Sequence, residues 1–229
     1  GGGQNNKLIS SNDANLYGIN NKIESSGTSN IGGGSSNTIE SSQNVNIGGG
    51  TQNTIESSNK SNIGGGQFNT LTNSSAYSSI SGGCNNLLTS SSRYSSINGG
   101  CINKLSDNSC YSSINGGKTN TIIDNSCGSL ISGGQTNKII DSKWSSVNGG
   151  CCNTVSNTNV SYIGGGSSNK LTDSSYRSTI VGGSNNLLTS SSRYSSIGGG
   201  FYNTLSQSNY TSIDGGRCNT LNSSNFSTI

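Results

Sequence analysis

The residues of this sequence best suited to covalent chemistry or metal binding are its seven cysteines. Cys84 and Cys101 are 17 residues apart, and so are Cys110 and Cys127. If that spacing makes one turn of a coil, each pair lies on adjacent turns at a Cα separation that a disulfide accepts, so both pairs are candidate disulfides. Three cysteines are left over: Cys151, Cys152 and Cys218. Thiols and links to a neighbouring chain both stay open for these three, and we favour thiols for the set as a whole.

Two short columns of carboxylates are the next candidates for chemistry, since clustered carboxylates bind cations and catalyse proton transfer. The columns are Glu24, Glu40 and Glu56, and Asp107, Asp124 and Asp141. Like charges stacked about 4.8 Å apart repel one another, so these side chains either bind cations or stay solvated beside nearby lysines. We favour the solvated interpretation. Without histidine, a Cys-x-x-Cys spacing or the Gly-Gly-x-Gly-x-Asp calcium repeat, the sequence predicts no catalytic residue, no metal site and no cofactor.

An aromatic-rich column lies six residues before the glycine that anchors each repeat of the chain. Its members are Tyr77, Tyr94, Tyr111, Trp144, Tyr194, Tyr210 and Phe226. Arg93 and Arg193 directly precede two of these tyrosines. Stacked rings at the edge of a coil combine apolar area with a polar handle, which makes the column a candidate surface for a glycan or another subunit. The alternative is that the rings only cover a turn.

These candidates recur because one short unit fills the whole chain, as in "SNIGGGSSNTI", "SSINGGCINKL" and "TSIDGGRCNTL". Its anchor, the second turn glycine, occurs fourteen times from Gly3 to Gly216, at a spacing of 15 once and then always 16 or 17. No linker interrupts the repeat, so the sequence predicts a single repeat domain over residues 1–229. The chain begins and ends inside the repeat and contains no methionine, so we expect it to be a segment of a longer protein.

Aliphatic residues place strands on either side of each glycine turn. One column lies three residues before the anchor, from Ile31 to Ile213, and another lies five after it, from Leu8 to Leu221. Both columns sit in segments of about five residues with a period of two, which indicates strands. Two strands per repeat bury their apolar side only by stacking on the next repeat. The sequence therefore predicts an all-β fold, a parallel β-solenoid or β-roll of about fourteen coils, advancing about 4.8 Å per coil and about 65 Å long.

An asparagine three residues after the anchor is present in every coil. The column comprises Asn6, Asn21, Asn37, Asn53, Asn69, Asn86, Asn103, Asn120, Asn137, Asn153, Asn169, Asn186, Asn203 and Asn219. It has the parity of the inward aliphatic residue two positions later, so its amide is predicted to be buried and must be paired. We interpret it as an asparagine ladder that bonds from coil to coil and to the turn backbone. A serine column five before the anchor and a serine, asparagine or threonine column eight after it are predicted to serve the opposite turn.

Composition excludes several classes of function. Only 27% of the residues are hydrophobic and 9% are charged, with 35 glycines and no proline, so the chain cannot fill a wide globular core. The net charge of +3 comes from scattered residues that form no basic stripe, which argues against nucleic-acid binding. No apolar run is long enough to span a bilayer, so we expect no membrane insertion in this segment.

The pattern Ser-x-Ile-x-Gly-Gly-x-x-Asn-x-(Ile/Leu) resembles the head repeats of trimeric autotransporter adhesins. It looks still closer to glycine- and asparagine-rich β-solenoid repeats of phage and giant-virus fibre proteins. The resemblance covers the whole chain, although adhesin heads have shorter, alanine-rich repeats and seldom carry cysteine. It implies a left-handed β-roll, often trimeric, that serves as a stalk or attachment surface at a cell or virion surface.

Three functions follow from this organisation. The favoured one is a non-catalytic fibre or adhesin shaft, extracellular or on a virion, that self-associates and binds a glycan or cell-surface receptor along a repeated face. The alternative is ice binding through an outward threonine column: Thr38, Thr54, Thr70, Thr121, Thr154, Thr204 and Thr220. That column is interrupted by Lys7, Lys22, Lys104, Lys138, Lys170, Leu87 and Leu187. A polysaccharide-processing enzyme is disfavoured because long inserted loops and convergent carboxylates are absent from the sequence.

Overall fold

The computed structural model describes residues 2–229 and confirms the predicted fold class. Over this range the chain is an all-β parallel solenoid of about fourteen turns with about sixteen residues per turn, and it forms no helix. It divides into two compact units, of which the first ends at Gly116 and the second spans Gly117–Ile229. The prediction of one uninterrupted domain over residues 1–229 stays a prediction.

Strands of two or three residues alternate with sharp corners throughout both units. In the first unit they are β1 (Gly3–Gln4), β2 (Lys7–Ile9), β3 (Asn15–Leu16), β4 (Gly18–Ile19), β5 (Lys22–Glu24), β6 (Asn30–Ile31), β7 (Thr38–Glu40), β8 (Asn46–Ile47), β9 (Thr54–Glu56), β10 (Asn62–Ile63), β11 (Thr70–Leu71), β12 (Ser79–Ile80), β13 (Leu87–Leu88), β14 (Ser96–Ile97), β15 (Lys104–Leu105) and β16 (Ser113–Ile114). In the second they are β17 (Thr121–Ile123), β18 (Leu130–Ile131), β19 (Lys138–Ile140), β20 (Ser146–Val147), β21 (Thr154–Ser156), β22 (Tyr162–Ile163), β23 (Lys170–Leu171), β24 (Thr179–Ile180), β25 (Leu187–Thr189), β26 (Ser196–Ile197), β27 (Thr204–Ser206), β28 (Ser212–Ile213) and β29 (Thr220–Asn222).

Equivalent residues of successive turns pair in parallel register, so each sequence column becomes a physical column. Ile31 pairs with Ile47, and Ile47 pairs with Ile63. In the second unit Ile163 pairs with Ile180 in the same way. Each such residue in the interior turns is fully buried, and burying one aliphatic side chain contributes about 1.5–3 kcal/mol.

The first turns depart from the predicted aliphatic columns. Leu8 is 50% exposed because only one described turn covers it. Leu16, which the sequence columns did not include, is buried and pairs with Ile31. It lies two residues before Gly18 instead of three, because this turn has only 15 residues.

The anchor glycine is required for two separate reasons, its backbone conformation and its contact with the next turn. Gly183 has φ +82°, and a Cβ built on it would lie 2.2 Å from the carbonyl oxygen of Gly200 in the next turn. Any side chain there would overlap backbone that cannot move independently, because that carbonyl accepts hydrogen bonds. Gly182, the preceding residue, would meet nothing within 4 Å.

Corner residues other than glycine also adopt the left-handed conformation, which the sequence did not indicate. The residue two after the anchor has φ between 52° and 62° in every turn, whether it is asparagine, serine, tyrosine or isoleucine. This conformation turns the peptide group over, so that consecutive main-chain N–H groups point to opposite neighbouring turns. Cys84 donates its N–H forward to Gly100 O (2.9 Å), whereas Asn85 donates backward to Gln67 O (2.9 Å). The reversal also explains why the strands are shorter than the five-residue segments expected from alternation.

The extra residue of the 17-residue turns is accommodated at the corner opposite the glycines. Besides the left-handed residue of the aromatic column, a 16-residue turn has one more there, Ser57 (φ 50°), whereas the next turn has two more, Asn73 and Ser74 (φ 55° and 64°). The inward serine consequently lies nine residues after the anchor in these turns, not eight as the sequence columns predicted. The serine ladder still continues, since Ser75 N–H donates to Ser58 Oγ at 3.2 Å.

Candidate functional site

The asparagine column forms a ladder, as predicted, and the structure shows which atoms it joins. Asn53 is fully buried, and its Oδ1 accepts from the main-chain N–H of Asn69 in the next turn (3.0 Å). Its Nδ2 donates to Gly49 O in the same turn (3.0 Å) and to Gly66 O in the next (2.9 Å). The amide therefore bonds to main chain at all three contacts, not to the side chain of another ladder asparagine. In the second unit Asn120 and Asn137 make the same contact, at 2.9 Å.

The aromatic column lies at the opposite corner and is exposed. Its seven members have φ between 54° and 59°, so each ring is carried by a left-handed corner residue that directs the side chain outward. In the first unit Tyr77 and Tyr94 stack with centroids 4.8 Å apart, and Tyr94 and Tyr111 stack at 5.0 Å with an interplanar angle of 3°. We call these three rings the first tyrosine stack.

A lysine covers one end of the first tyrosine stack. Lys60 occupies the same column one turn earlier; its Nζ lies 4.9 Å from the centroid of Tyr77 and donates to the phenol oxygen at 3.0 Å. This hydrogen bond raises the pKa of Lys60 above its usual value. An ammonium over a ring face is a cation–π contact, worth about 0.5–1 kcal/mol at exposed sites.

The second unit repeats the arrangement with different residues. Tyr194 and Tyr210 stack at 4.9 Å, and Tyr210 and Phe226 stack at 5.2 Å. Here the cation is Arg177, whose Cζ lies 5.6 Å from the Tyr194 centroid and whose Nη1 donates to the phenol oxygen at 3.1 Å. We call Tyr194, Tyr210 and Phe226 the second aromatic stack. A cavity of about 340 Å³ flanks it, lined by Arg193, Tyr194, Asn209, Tyr210, Asn225 and Phe226.

Trp144 belongs to the aromatic column but is not part of either stack. Its six-membered ring lies over Gly128, where a Cβ would approach Trp144 Cε3 to 2.3 Å. Gly128 has φ +69° and stands where neighbouring turns carry a ring. The glycine therefore makes room for the indole, which is 66% exposed.

The stacking decides what the aromatic corner can bind. A ring inside a stack has both faces covered by its neighbours, so sugars could stack only on the end faces. What the column exposes along its length is ring edges and phenol hydroxyls at intervals of about 5 Å. Such a row favours hydrogen bonding and edge contacts with a periodic partner over the face stacking of a single sugar ring.

The glutamate column is partly neutralised by a lysine. Lys22 pairs with Glu24 and with Glu40, whose carboxylate is 3.5 Å from Nζ. The hydrogen bond to Glu24 raises the pKa of Lys22, and the same bond lowers the pKa of Glu24.

In the aspartate column, Asp107 accepts a hydrogen bond from Ser106 (2.7 Å). Within residues 2–229, no cluster of three or more histidine, cysteine or acidic side chains has metal-site geometry.

The cysteines follow the sequence expectation at one pair. Cys84 and Cys101 form a disulfide across adjacent turns, with their Cα atoms 4.7 Å apart. Cys110 and Cys127 lie in different units, so the second candidate bridge stays a prediction; the Cys110 thiol donates to Ser91 O at 3.3 Å. Cys151 and Cys152 are thiols whose sulfurs lie 2.9 Å apart, and the hydrogen bond between them raises the pKa of Cys151.

The threonine column lies in the predicted register and is interrupted where the sequence indicates. Thr38, Thr54 and Thr70 pair in succession, but the next partner is Leu87. In the second unit lysines and Leu187 separate the threonines until Thr204, which pairs with Thr220. Three consecutive threonines are the longest uninterrupted run among these pairs.

The two cations on the stacks and the role of Gly128 were not predicted from the sequence. All three occupy the aromatic column itself, so the column position was the available signal.

Among residues 2–229 no helix is long and apolar enough to cross a membrane. In sequence comparisons the chain matches no protein-family model, and no curated protein is significantly similar to it.

Proposed function

We propose that this chain is a non-catalytic structural shaft of a fibre or adhesin, exposed outside a cell or on a virion. The observation that supports this is the asparagine ladder. Within each unit the interior turns present the same buried acceptors and donors to the next turn, so turns can be added without changing the structure. A protein built this way produces length and a repeated outer surface.

The aromatic corner is the surface by which the shaft would contact partners. Its rings are about 45–80% exposed, so their edges and hydroxyls are available to a partner. We propose self-association of shafts, as a trimer or filament, or attachment to a glycan or cell-surface receptor through this corner. The resemblance to adhesin and viral-fibre repeats points in the same direction.

Electron microscopy of the purified protein tests the shaft directly. We expect elongated particles of uniform width, and sedimentation velocity should report the number of chains in each. Compact particles with a frictional ratio close to that of a sphere would contradict the proposal. Replacing the exposed ring of Trp144 by alanine should reduce self-association without changing particle width, whereas the same change at the unstacked, exposed Tyr17 serves as the control.

Ice binding is the weaker alternative. Only three threonines follow one another in register before a leucine interrupts them, so an ordered water lattice would have few anchoring points. Thermal hysteresis that increases with protein concentration would establish this alternative, and its absence at high concentration would eliminate it.

A further inference from the structure

Adjacent tyrosines within each unit are held in a geometry that matters for oxidation. Tyr77, Tyr94 and Tyr111 stack at 4.8 and 5.0 Å, and Tyr194 and Tyr210 stack at 4.9 Å. Interplanar angles of 15°, 3° and 1° place each phenol beside the same atoms of its neighbour. Two phenols held this close couple readily when both are oxidised by one electron, because no diffusion step is needed.

The stacked tyrosines are accessible to an oxidant, and their exposed side chains can change rotamer. Their exposed fractions are 47% for Tyr77, 48% for Tyr94 and 64% for Tyr111. In the second unit Tyr194 and Tyr210 are 45% and 54% exposed. Exposed side chains change rotamer in picoseconds to nanoseconds, so two neighbouring rings can swing from face-to-face stacking into the side-by-side position in which their ortho carbons meet.

We propose that the two stacks are sites of oxidative cross-linking, at which dityrosine forms between adjacent turns of the same chain. A one-electron oxidant of the peroxidase class removes one electron from each of two phenols, and each phenol loses its hydroxyl proton. The two radicals join through a carbon–carbon bond between ring carbons ortho to the oxygens. The hydrogens on those carbons then move to the oxygens and restore both phenols. Hydrogen peroxide accepts the two electrons and two protons and becomes two molecules of water.

The structure makes this reaction selective. Tyr202 is as exposed as the stacked tyrosines, at 53%, but its ring meets Phe201 edge-on at 4.4 Å and has no tyrosine beside it in the column. Phe226 extends the second stack but has no phenol oxygen to oxidise. The reactive neighbours are therefore Tyr77 with Tyr94, Tyr94 with Tyr111, and Tyr194 with Tyr210. Each product would cross-link one turn covalently to the next at the exposed corner, in addition to the Cys84–Cys101 disulfide.

The test treats the dilute full chain with peroxidase and hydrogen peroxide, isolates the monomer after denaturing electrophoresis, and maps dityrosine by tryptic digestion. The first stack suits this experiment because Arg93 and Lys104 separate its tyrosines into peptides 61–93, 94–104 and 105–118. The disulfide must be reduced and alkylated first, since it joins the first two of these peptides. We expect peptide 94–104 covalently joined to 61–93 or to 105–118, with the loss of two hydrogens.

Two variants distinguish stacking from general reactivity. Tyr94→Phe keeps the ring and hence the stack, and it should eliminate both cross-linked species of the first unit while leaving the Tyr194–Tyr210 product unchanged. Tyr202→Phe should leave all products unchanged. Dityrosine found only in dimers, equal yields from chain unfolded in guanidinium, or cross-links that include Tyr202 as often as Tyr94 would each overturn the proposal.

Discussion

The two corners of each turn solve the same geometrical problem by different means. At the glycine corner the chain turns through the anchor glycine, for example Gly183. The asparagine three positions later donates hydrogen bonds to main-chain carbonyls of its own turn and of the next turn. At the opposite corner the chain turns through left-handed residues of many types and admits either two or three of them. The first corner is fixed by sterics and buried hydrogen bonds. The second also has buried serine hydrogen bonds, such as Ser75 N–H to Ser58 Oγ at 3.2 Å, but it accommodates an extra residue.

This difference explains where variation is found. The glycine corner keeps its glycine and asparagine in every turn, whereas the opposite corner carries lysine, tyrosine, tryptophan, glycine, valine, arginine and phenylalanine in one column. It is also where buried hydroxyls lack partners, at Ser75 and Ser175 in two of the longer turns. Relaxed constraints at one corner leave it available for surface chemistry.

Deleting one residue at each corner of the same turn should give the largest difference in stability between the two corners. Removing Ser168 shifts Asn169 out of the ladder and should prevent cooperative folding of the second unit. Removing Ser174 converts a 17-residue turn into a 16-residue turn and should change the free energy of unfolding by less than about 1 kcal/mol, since loop closure depends weakly on length. Guanidinium unfolding followed by circular dichroism measures both. Equal damage from the two deletions would contradict the distinction.

Substituting two adjacent glycines at the glycine corner should give the next largest difference in stability. Gly183→Ala should destabilise the protein by about 2–5 kcal/mol, because a left-handed non-glycine residue costs about 1–2 kcal/mol and overpacking costs about 1–3 more. Gly182→Ala is the matched control, since its Cβ meets open space. It should change the unfolding midpoint little. If both substitutions had the same effect, steric contact with the next turn could not be the reason for the anchor glycine.

Left-handed β-branched residues offer a stabilising change. Val160 has φ +57° and is 50% exposed, and Ile102 at the glycine corner has φ +60° and is 48% exposed. Asparagine tolerates this conformation and already occupies both columns elsewhere, so Val160→Asn and Ile102→Asn should each stabilise by about 0.5–1 kcal/mol. A lower melting temperature in both variants would mean that the side chains contribute more by packing than their backbone conformation costs.

The smallest expected effect is the pH dependence of the Lys22–Glu24 pair. The hydrogen bond from Lys22 lowers the pKa of Glu24 from its usual value of 4.5, so the carboxylate stabilises the fold above that pH. This contribution is lost as the pH falls through the lowered pKa. The pair is solvent-exposed, so we expect a small, salt-sensitive loss. Melting temperatures across the acid range should show it in the native chain and not in Lys22→Ala, with Lys170→Ala as the control.

Most of the fold was predictable because identical columns in a solenoid become direct neighbours in space. The anchor glycine and the buried asparagine each followed from column identity alone, whereas column identity made the Cys84–Cys101 bridge only a candidate. The left-handed conformation of residues such as Ile102 did not, because local preference opposes it and only main-chain hydrogen bonds to the preceding turn hold it there. The position of the extra residue in the 17-residue turns could not be predicted from the sequence for the same reason.

The candidate surface was predictable in position but not in geometry. The aromatic column could be read from the sequence, yet the spacing of its rings depends on corner dihedral angles that no sequence pattern indicated. The cations on Tyr77 and Tyr194 are long side chains whose direction is set by packing. Columns fix which residues are neighbours, whereas the conformation of the corner fixes how they meet.

The measurement that tests the ladder most directly is a scalar coupling across its hydrogen bond. In isotopically labelled protein, nuclear magnetic resonance should detect a coupling between the main-chain nitrogen of Asn169 and the side-chain carbonyl carbon of Asn153, whose oxygen lies 3.0 Å from that nitrogen. We predict this coupling together with slow exchange of the Asn153 side-chain amide protons. No coupling, and exchange as fast as in an unfolded peptide, would contradict the stacking of successive turns on which the whole account depends.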